Sequence, residues 1–213
     1  MTVPMLIDSN ILRSAALCAL CSLPALAAAQ HFSVNHPKIL PDLNVSFDLP
    51  DDQAGRWKQI LNNSDSSIAE FLHTNWPLAS VEIEVKSVDE FFDADTLGVA
   101  ASDPKFIHHP SVIAQIKQRY SQYAAAGANA SRSISQFKTL TVSGTPALRF
   151  RVNSRYQTDT GIHVRAQADY LAFMRQQRYV YVKMHDETLD DGSGNPAQLY
   201  SYGNSINSIQ LKY

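Results

Sequence analysis

Ala147-Leu148-Arg149-Phe150-Arg151-Val152-Asn153-Ser154-Arg155-Tyr156 alternates apolar and polar residues with a period of two. That is the spacing of a strand with one face in a core and the other in water. Leu148, Phe150 and Val152 point one way, and Arg149, Arg151, Asn153 and Arg155 the other. Three further strand-like runs flank it: Phe137–Val142, Ile162–Phe173 and Tyr179–His185. Ser143-Gly144-Thr145-Pro146, Thr158-Asp159-Thr160-Gly161 and Arg175-Gln176-Gln177-Arg178 separate the four. Links this short exclude parallel crossovers, which need a dozen residues or more, so the runs form an antiparallel meander.

Upstream, Ser46-Phe47-Asp48-Leu49-Pro50 reads as a short strand stopped by proline. Ala54, Trp57, Ile60 and Leu61 share a helical face after an aspartate cap, and Ile68, Phe71 and Leu72 suggest further helical turns. Val81-Glu82-Ile83-Glu84-Val85 alternates as a strand, and residues 86–109 read as loop. Pro110 opens a helix running to about Ala126, with Val112, Ile113, Ile116, Tyr120 and Tyr123 in one stripe. A last helix is expected from Asn195 to Ile209. Strands in one meander with helices packed on it make an α+β fold, in its simplest layering an α-β-α sandwich.

Ala15 to Leu26 is an apolar stretch behind Arg13, and Ala27-Ala28-Ala29 offers a signal-peptidase site. Residues 1–29 therefore read as a signal peptide cleaved after Ala29, and 30–213 as one domain exported to the periplasm or exterior. Both cysteines, Cys18 and Cys21, lie in the leader, so the mature chain has neither a disulfide nor a thiol nucleophile. A composition of 45% hydrophobic and 18% charged residues marks a globular chain. No apolar run reaches the roughly 20 residues that span a bilayer as a helix. The net charge of −2 argues against a nucleic-acid binder.

The charge is unevenly placed. Residues 132–183 carry +7, residues 30–131 carry −6 and residues 184–213 carry −3. By strand parity, the outward sides of the meander gather Arg149, Arg151, Arg155, His163, Arg165, Tyr179, Tyr181, Lys183 and His185. Arginine forks grip carboxylates and phosphates, and tyrosines add apolar area, so this set suits a protein partner or an anionic ligand. Arg149 and Arg151 are expected to be surface anchors whose loss leaves stability nearly unchanged. Standard catalytic motifs are missing, including Gly-x-Ser-x-Gly, His-Glu-x-x-His and the phosphate-binding glycine loops. Adjacent His108 and His109 point different ways, and the Asp190–Gly194 loop lacks calcium-loop spacing, so no metal or cofactor is expected. The reading is an exported, non-catalytic binding or accessory protein, inhibitor- or immunity-like among its forms. The alternative is a hydrolase using His163 or His185 with Asp169.

The element order also resembles the PsbP/DcrB-like group of exported accessory proteins. Carrying the resemblance are Phe47-Asp48-Leu49-Pro50, Ser143-Gly144-Thr145-Pro146-Ala147 entering a long strand, the strands around Tyr170 and Tyr181, and Ser205-Ile206-Asn207-Ser208-Ile209 near the end. It covers about residues 43–211 and implies an α-β-α sandwich acting as an accessory or binding protein rather than an enzyme. It brings no set of catalytic residues, and the helical reading of 53–75 departs from its pattern.

Overall fold

The computed structural model describes residues 29–50, 56–122, 130–189, 199, 202 and 204–213. In chain order these form β1 (Ala29–His36), β2 (Leu40–Pro50), β3 (Trp57–Asn62), β4 (Ser67–His73) and β5 (Trp76–Ser87). Two single-turn helices follow, α1 (Val88–Phe91) and α2 (Ala94–Leu97), then the longer α3 (Pro110–Ser121). Next come β6 (Ser131–Val142), β7 (Thr145–Gln157), β8 (His163–Arg175), β9 (Arg178–Leu189), the short α4 (Ser205–Ser208) and β10 (Gln210–Lys212).

Seven strands make one sheet in the order β3-β4-β5-β9-β8-β7-β6, and β1-β2-β10 make a second. All recorded pairings are antiparallel. The α+β meander of residues 131–189 is therefore present as expected. The expected leader lies outside the described residues except for Ala29, which opens β1. No helix among the described residues is long and apolar enough to cross a membrane.

Two stretches read as helical are strands. In β3 and β4, Trp57, Leu61, Ile68, Phe71 and Leu72 sit at helix-like spacings because bulges interrupt strict alternation, between Gln59 and Leu61, Ser67 and Ala69, and Leu72 and His73. Residues 86–109 hold α1, α2 and a 3-10 turn at Phe106–His108. Of the expected closing helix the described part is a single turn, Ser205–Ser208, which hands the chain to β10, while residues 195–198, 200, 201 and 203 lie outside the described residues. Pro110 does start a helix, which ends at Ser121; Tyr123 lies outside the described residues.

Both faces of the large sheet carry cores. On the sandwich face, Val81, Ile83, Leu171, Phe173, Val180, Val182 and Met184 pack with Val45, Phe47, Leu49 and Leu211 of the small sheet. Phe47 meets Phe71 edge-on with ring centres 5.5 Å apart. On the helix face, Leu148, Phe150, Tyr170, Ala172 and Tyr179 pack with Phe91, Phe92, Phe106, Val112, Ile116 and Tyr120. The rings of Phe150 and Tyr170 stack at 4.9 Å across the β7–β8 pair. His108 fixes the 3-10 turn to the sheet through Nε2 and the Ala147 carbonyl, 2.9 Å apart.

Candidate functional site

Which residues gather on which face follows from the hairpin loops. β7 and β8 are joined by five residues, and Gln157 pairs with His163, so odd residues face odd. β8 and β9 are joined by two residues, Gln176 and Gln177, and Arg175 pairs with Arg178, so odd residues face even. Directly paired residues share a face, and a one-residue change in loop length transfers a whole strand to the other face. The nine residues expected on one surface are accordingly divided. Arg149, Arg151, Arg155, His163 and Arg165 lie on the sandwich face, whereas Tyr179, Tyr181, Lys183 and His185 lie on the helix face.

On the sandwich face, Arg151 donates from Nε and Nη2 to the two carboxylate oxygens of Asp169, both at 2.8 Å. Asp169 is 1% exposed. Arg149 donates to Oδ1 of Asn207. His163 is exposed at the start of β8, six residues and about 20 Å of strand from Asp169. The expected hydrolase pairing therefore fails: His163 is out of reach of Asp169, and His185 is on the opposite side of the sheet. The Asp169 carboxylate is already gripped by Arg151.

On the helix face, Tyr179 is fully buried beneath Phe91 and Phe92, so it is core rather than a surface anchor. The Tyr181 hydroxyl donates to Glu84 at 2.6 Å, and burial followed by that carboxylate pushes the phenol well above its ordinary range. Lys183 donates to both oxygens of Glu82 at 3.0 and 3.1 Å. His185 Nε2 lies 3.3 Å from Glu187, which also accepts from the Tyr156 hydroxyl at 2.9 Å. The hydrogen bond with His185, and then that with Tyr156, hold the Glu187 carboxyl below its ordinary value.

Tyr156, Lys183, His185 and Glu187 rim a groove of about 200 Å³ floored by Val152, Ser154, Ala166 and Ala168. Tyr170 walls the end beneath the helices, and Arg132 closes the β6 side, donating from Nε to Ser154 at 3.1 Å. The groove exists because the central strands carry small residues where their neighbours carry Tyr, Lys, His and Glu, and because the helical layer packs toward the other end of the sheet. Lys183 and His185 were legible as site candidates. Glu187, Tyr156, Arg132 and the alanines were not, because Ala166 and Ala168 read only as part of the apolar side of their strand. No group of three His, Cys, Asp or Glu among the described residues is placed to hold a metal.

The chain is thus an antiparallel α+β protein with a rimmed groove on the helix face of its large sheet. No family model and no curated protein matches it. Solved structures of similar fold include LpqN, involved in cell envelope biogenesis of Mycobacterium tuberculosis, at 14% identity, covering 99% of this chain and 100% of that one, with a TM-score of 0.43. Cyanobacterial PsbP (CyanoP) from Synechocystis is similar at 10% identity, 78% of this chain and 85% of that one, with a TM-score of 0.33. A protein of unknown function from Pseudomonas aeruginosa is similar at 11% identity, 66% and 76% coverage, and a TM-score of 0.31. The likeness is one of general fold, and it includes a member of the group that the sequence resembles.

Proposed function

We propose that this chain is an exported, non-catalytic binding or accessory protein whose helix-face groove receives a projecting side chain of a protein partner. The observation that carries the reading is a concave, small-residue floor rimmed by charged and aromatic groups that already satisfy one another. At the rim, Lys183 is paired with Glu82, and Glu187 with His185 and Tyr156. A base activating a nucleophile needs hydrogen-bond contact with it. Ser154 and His185 stand on the two strands flanking β8 and two residues apart in register, about 12 Å apart by strand geometry, so no such contact forms. A volume of about 200 Å³ is below the range of small-molecule pockets and suits one inserted side chain. Arginine and tyrosine at the rim are the residue types that anchor protein interfaces.

A photo-crosslinking residue at Ala168, in cells exporting the chain, tests this. One adduct of fixed mass is expected, lost when Ala166→Trp fills the floor while the circular dichroism spectrum is kept. The same residue at exposed Asp103 gives the background. An adduct at position 168 no stronger than that background, or one indifferent to Ala166→Trp, overturns the reading.

A further inference from the structure

On the other side of the sheet the register sets two arginines against each other. Arg155 of β7 and Arg165 of β8 are directly paired, which places their Cα atoms about 5 Å apart. Like charges at such positions repel. Among the described residues neither guanidinium makes an ion pair: the carboxylate salt bridges on this sheet go to Arg151, Lys183, Lys86, Arg175 and His185. Nε of Arg165 is sealed from solvent and has no acceptor among the described residues, so the Nη groups are the ones that face the cavity. Two guanidiniums side by side without a carboxylate leave terminal N–H donors that an anion can satisfy.

The two arginines line a cavity of about 550 Å³ with Ser131 and Ser133 of β6, Asn153 of β7 and Gln167 of β8. Strand parity brings those four to the sandwich face beside the guanidiniums. Among the described residues, which include Leu199 on its wall, no carboxylate lines the cavity. Asp169, the nearest on β8, is taken up by Arg151. Two permanent positive charges with hydroxyl and amide donors around them match a doubly charged oxyanion with several oxygens to satisfy. The cavity is of small-molecule ligand size, far larger than a bare anion needs.

We propose that Arg155 and Arg165 form the base of a binding site for a phosphate monoester, separate from the helix-face groove. The phosphate sits between the two guanidiniums, whose terminal Nη groups donate to it, and the rest of the ligand occupies the Ser131–Ser133 side. The chemistry is the same for a soluble ester and for a lipid headgroup, so both are tried. Calorimetry of residues 30–213 with glycerol phosphate, and sedimentation with vesicles of phosphatidic acid against vesicles of phosphatidylcholine, separate the two sources.

The expected result is binding of at least one phosphate monoester in 0.15 M chloride buffer, weakened about tenfold or more by Arg155→Gln and by Arg165→Gln, since a hydrogen bond to a charged group is worth about that factor. Arg155→Lys keeps the charge but not the fork and is expected to fall between. In ester-free buffer Arg155→Gln is expected to melt no lower than the parent chain, because repulsion is relieved, and to lose the upward melting shift that the ester gives the parent. Binding of glycerol phosphate assigns a soluble ester; binding of phosphatidic acid vesicles alone assigns a lipid. No binding of either overturns the proposal, as does binding that both glutamine variants retain. So does melting of Arg155→Gln well below the parent without ester, which makes the guanidinium structural. Binding that emerges only after Asp190→Asn and Asp191→Asn overturns it too, because the chain's own carboxylates then occupy the arginines.

Discussion

Replacing Arg151 by alanine is expected to cost the fold far more than a surface substitution does. The Asp169 carboxylate is 1% exposed, and both of its oxygens accept hydrogen bonds from Arg151 at 2.8 Å. Removing the guanidinium leaves that charge buried and unpaired, which costs about 3–5 kcal/mol. The Arg151 side chain is 23% exposed, so water enters the space it leaves, and the lower end, about 3 kcal/mol, applies. The reverse truncation, Asp169→Ala, leaves a guanidinium that can turn toward water, and about 1–2 kcal/mol is expected. Removing both charges with Arg151→Met and Asp169→Leu is expected to recover most of the loss, because an apolar pair of similar volume needs no desolvated charge. Urea unfolding of the four proteins measures this. With a slope of about 2 kcal/mol per molar, Arg151→Ala lowers the midpoint by about 1.5 M. A loss below about 1 kcal/mol, equal losses for the two single variants, or a coupling energy near zero in the double-mutant cycle would refute the reasoning. Against the sequence-based expectation that loss of Arg149 and Arg151 leaves stability nearly unchanged, the pairing of Arg151 with buried Asp169 predicts a structural role for Arg151.

Glu187 titrates below its ordinary 4.5 in the folded chain, so its contribution is present above that value and lost as pH falls through the folded one. Glu187→Gln is expected to flatten the fall of the urea midpoint between about pH 5 and pH 3, and an unchanged slope would count against the His185–Glu187–Tyr156 cluster. Burial raises the phenols of Tyr120, Tyr170, Tyr179 and Tyr181 above their ordinary 10.0. An ultraviolet titration at about pH 11 should therefore leave those four of the nine tyrosines neutral until the chain unfolds. Gln176 and Gln177 both hold positive φ, 47° and 57°, a turn that asparagine and glycine adopt more readily. Gln177→Gly is expected to stabilise the chain by about 1 kcal/mol in the same urea assay, and a loss would show that the glutamine side chain holds the turn. Intact mass of the secreted protein is expected to begin at Gln30, and retention of residues 1–29 would contradict export by cleavage.

Alternation in Ala147–Tyr156, Ile162–Phe173 and Tyr179–His185, with short links between them, was enough to determine strands, antiparallel pairing and the α+β class. Each is a local property: a period of two along one segment, and a loop too short for a crossover. β3 and β4 escaped because bulges shift their apolar residues onto helical spacings, and only the pairing of β3 with β4 and of β4 with β5 shows that the segments are extended. Face membership was not local either. Lys183 and His185 leave Arg149 and Arg165 because the Gln176-Gln177 link is two residues long, and no glycine or asparagine marks it as such a turn. The groove needed more still: Ala166 and Ala168 are unremarkable in a strand until Tyr170, Lys183, His185 and Glu187 stand around them. Arg151 looks like its neighbours in the sequence and is distinguished only by having Asp169 directly across from it. Strand periodicity says that a side chain has a side; which neighbours share that side depends on register, and register is fixed by turn length and by the cores on both faces of the sheet acting together.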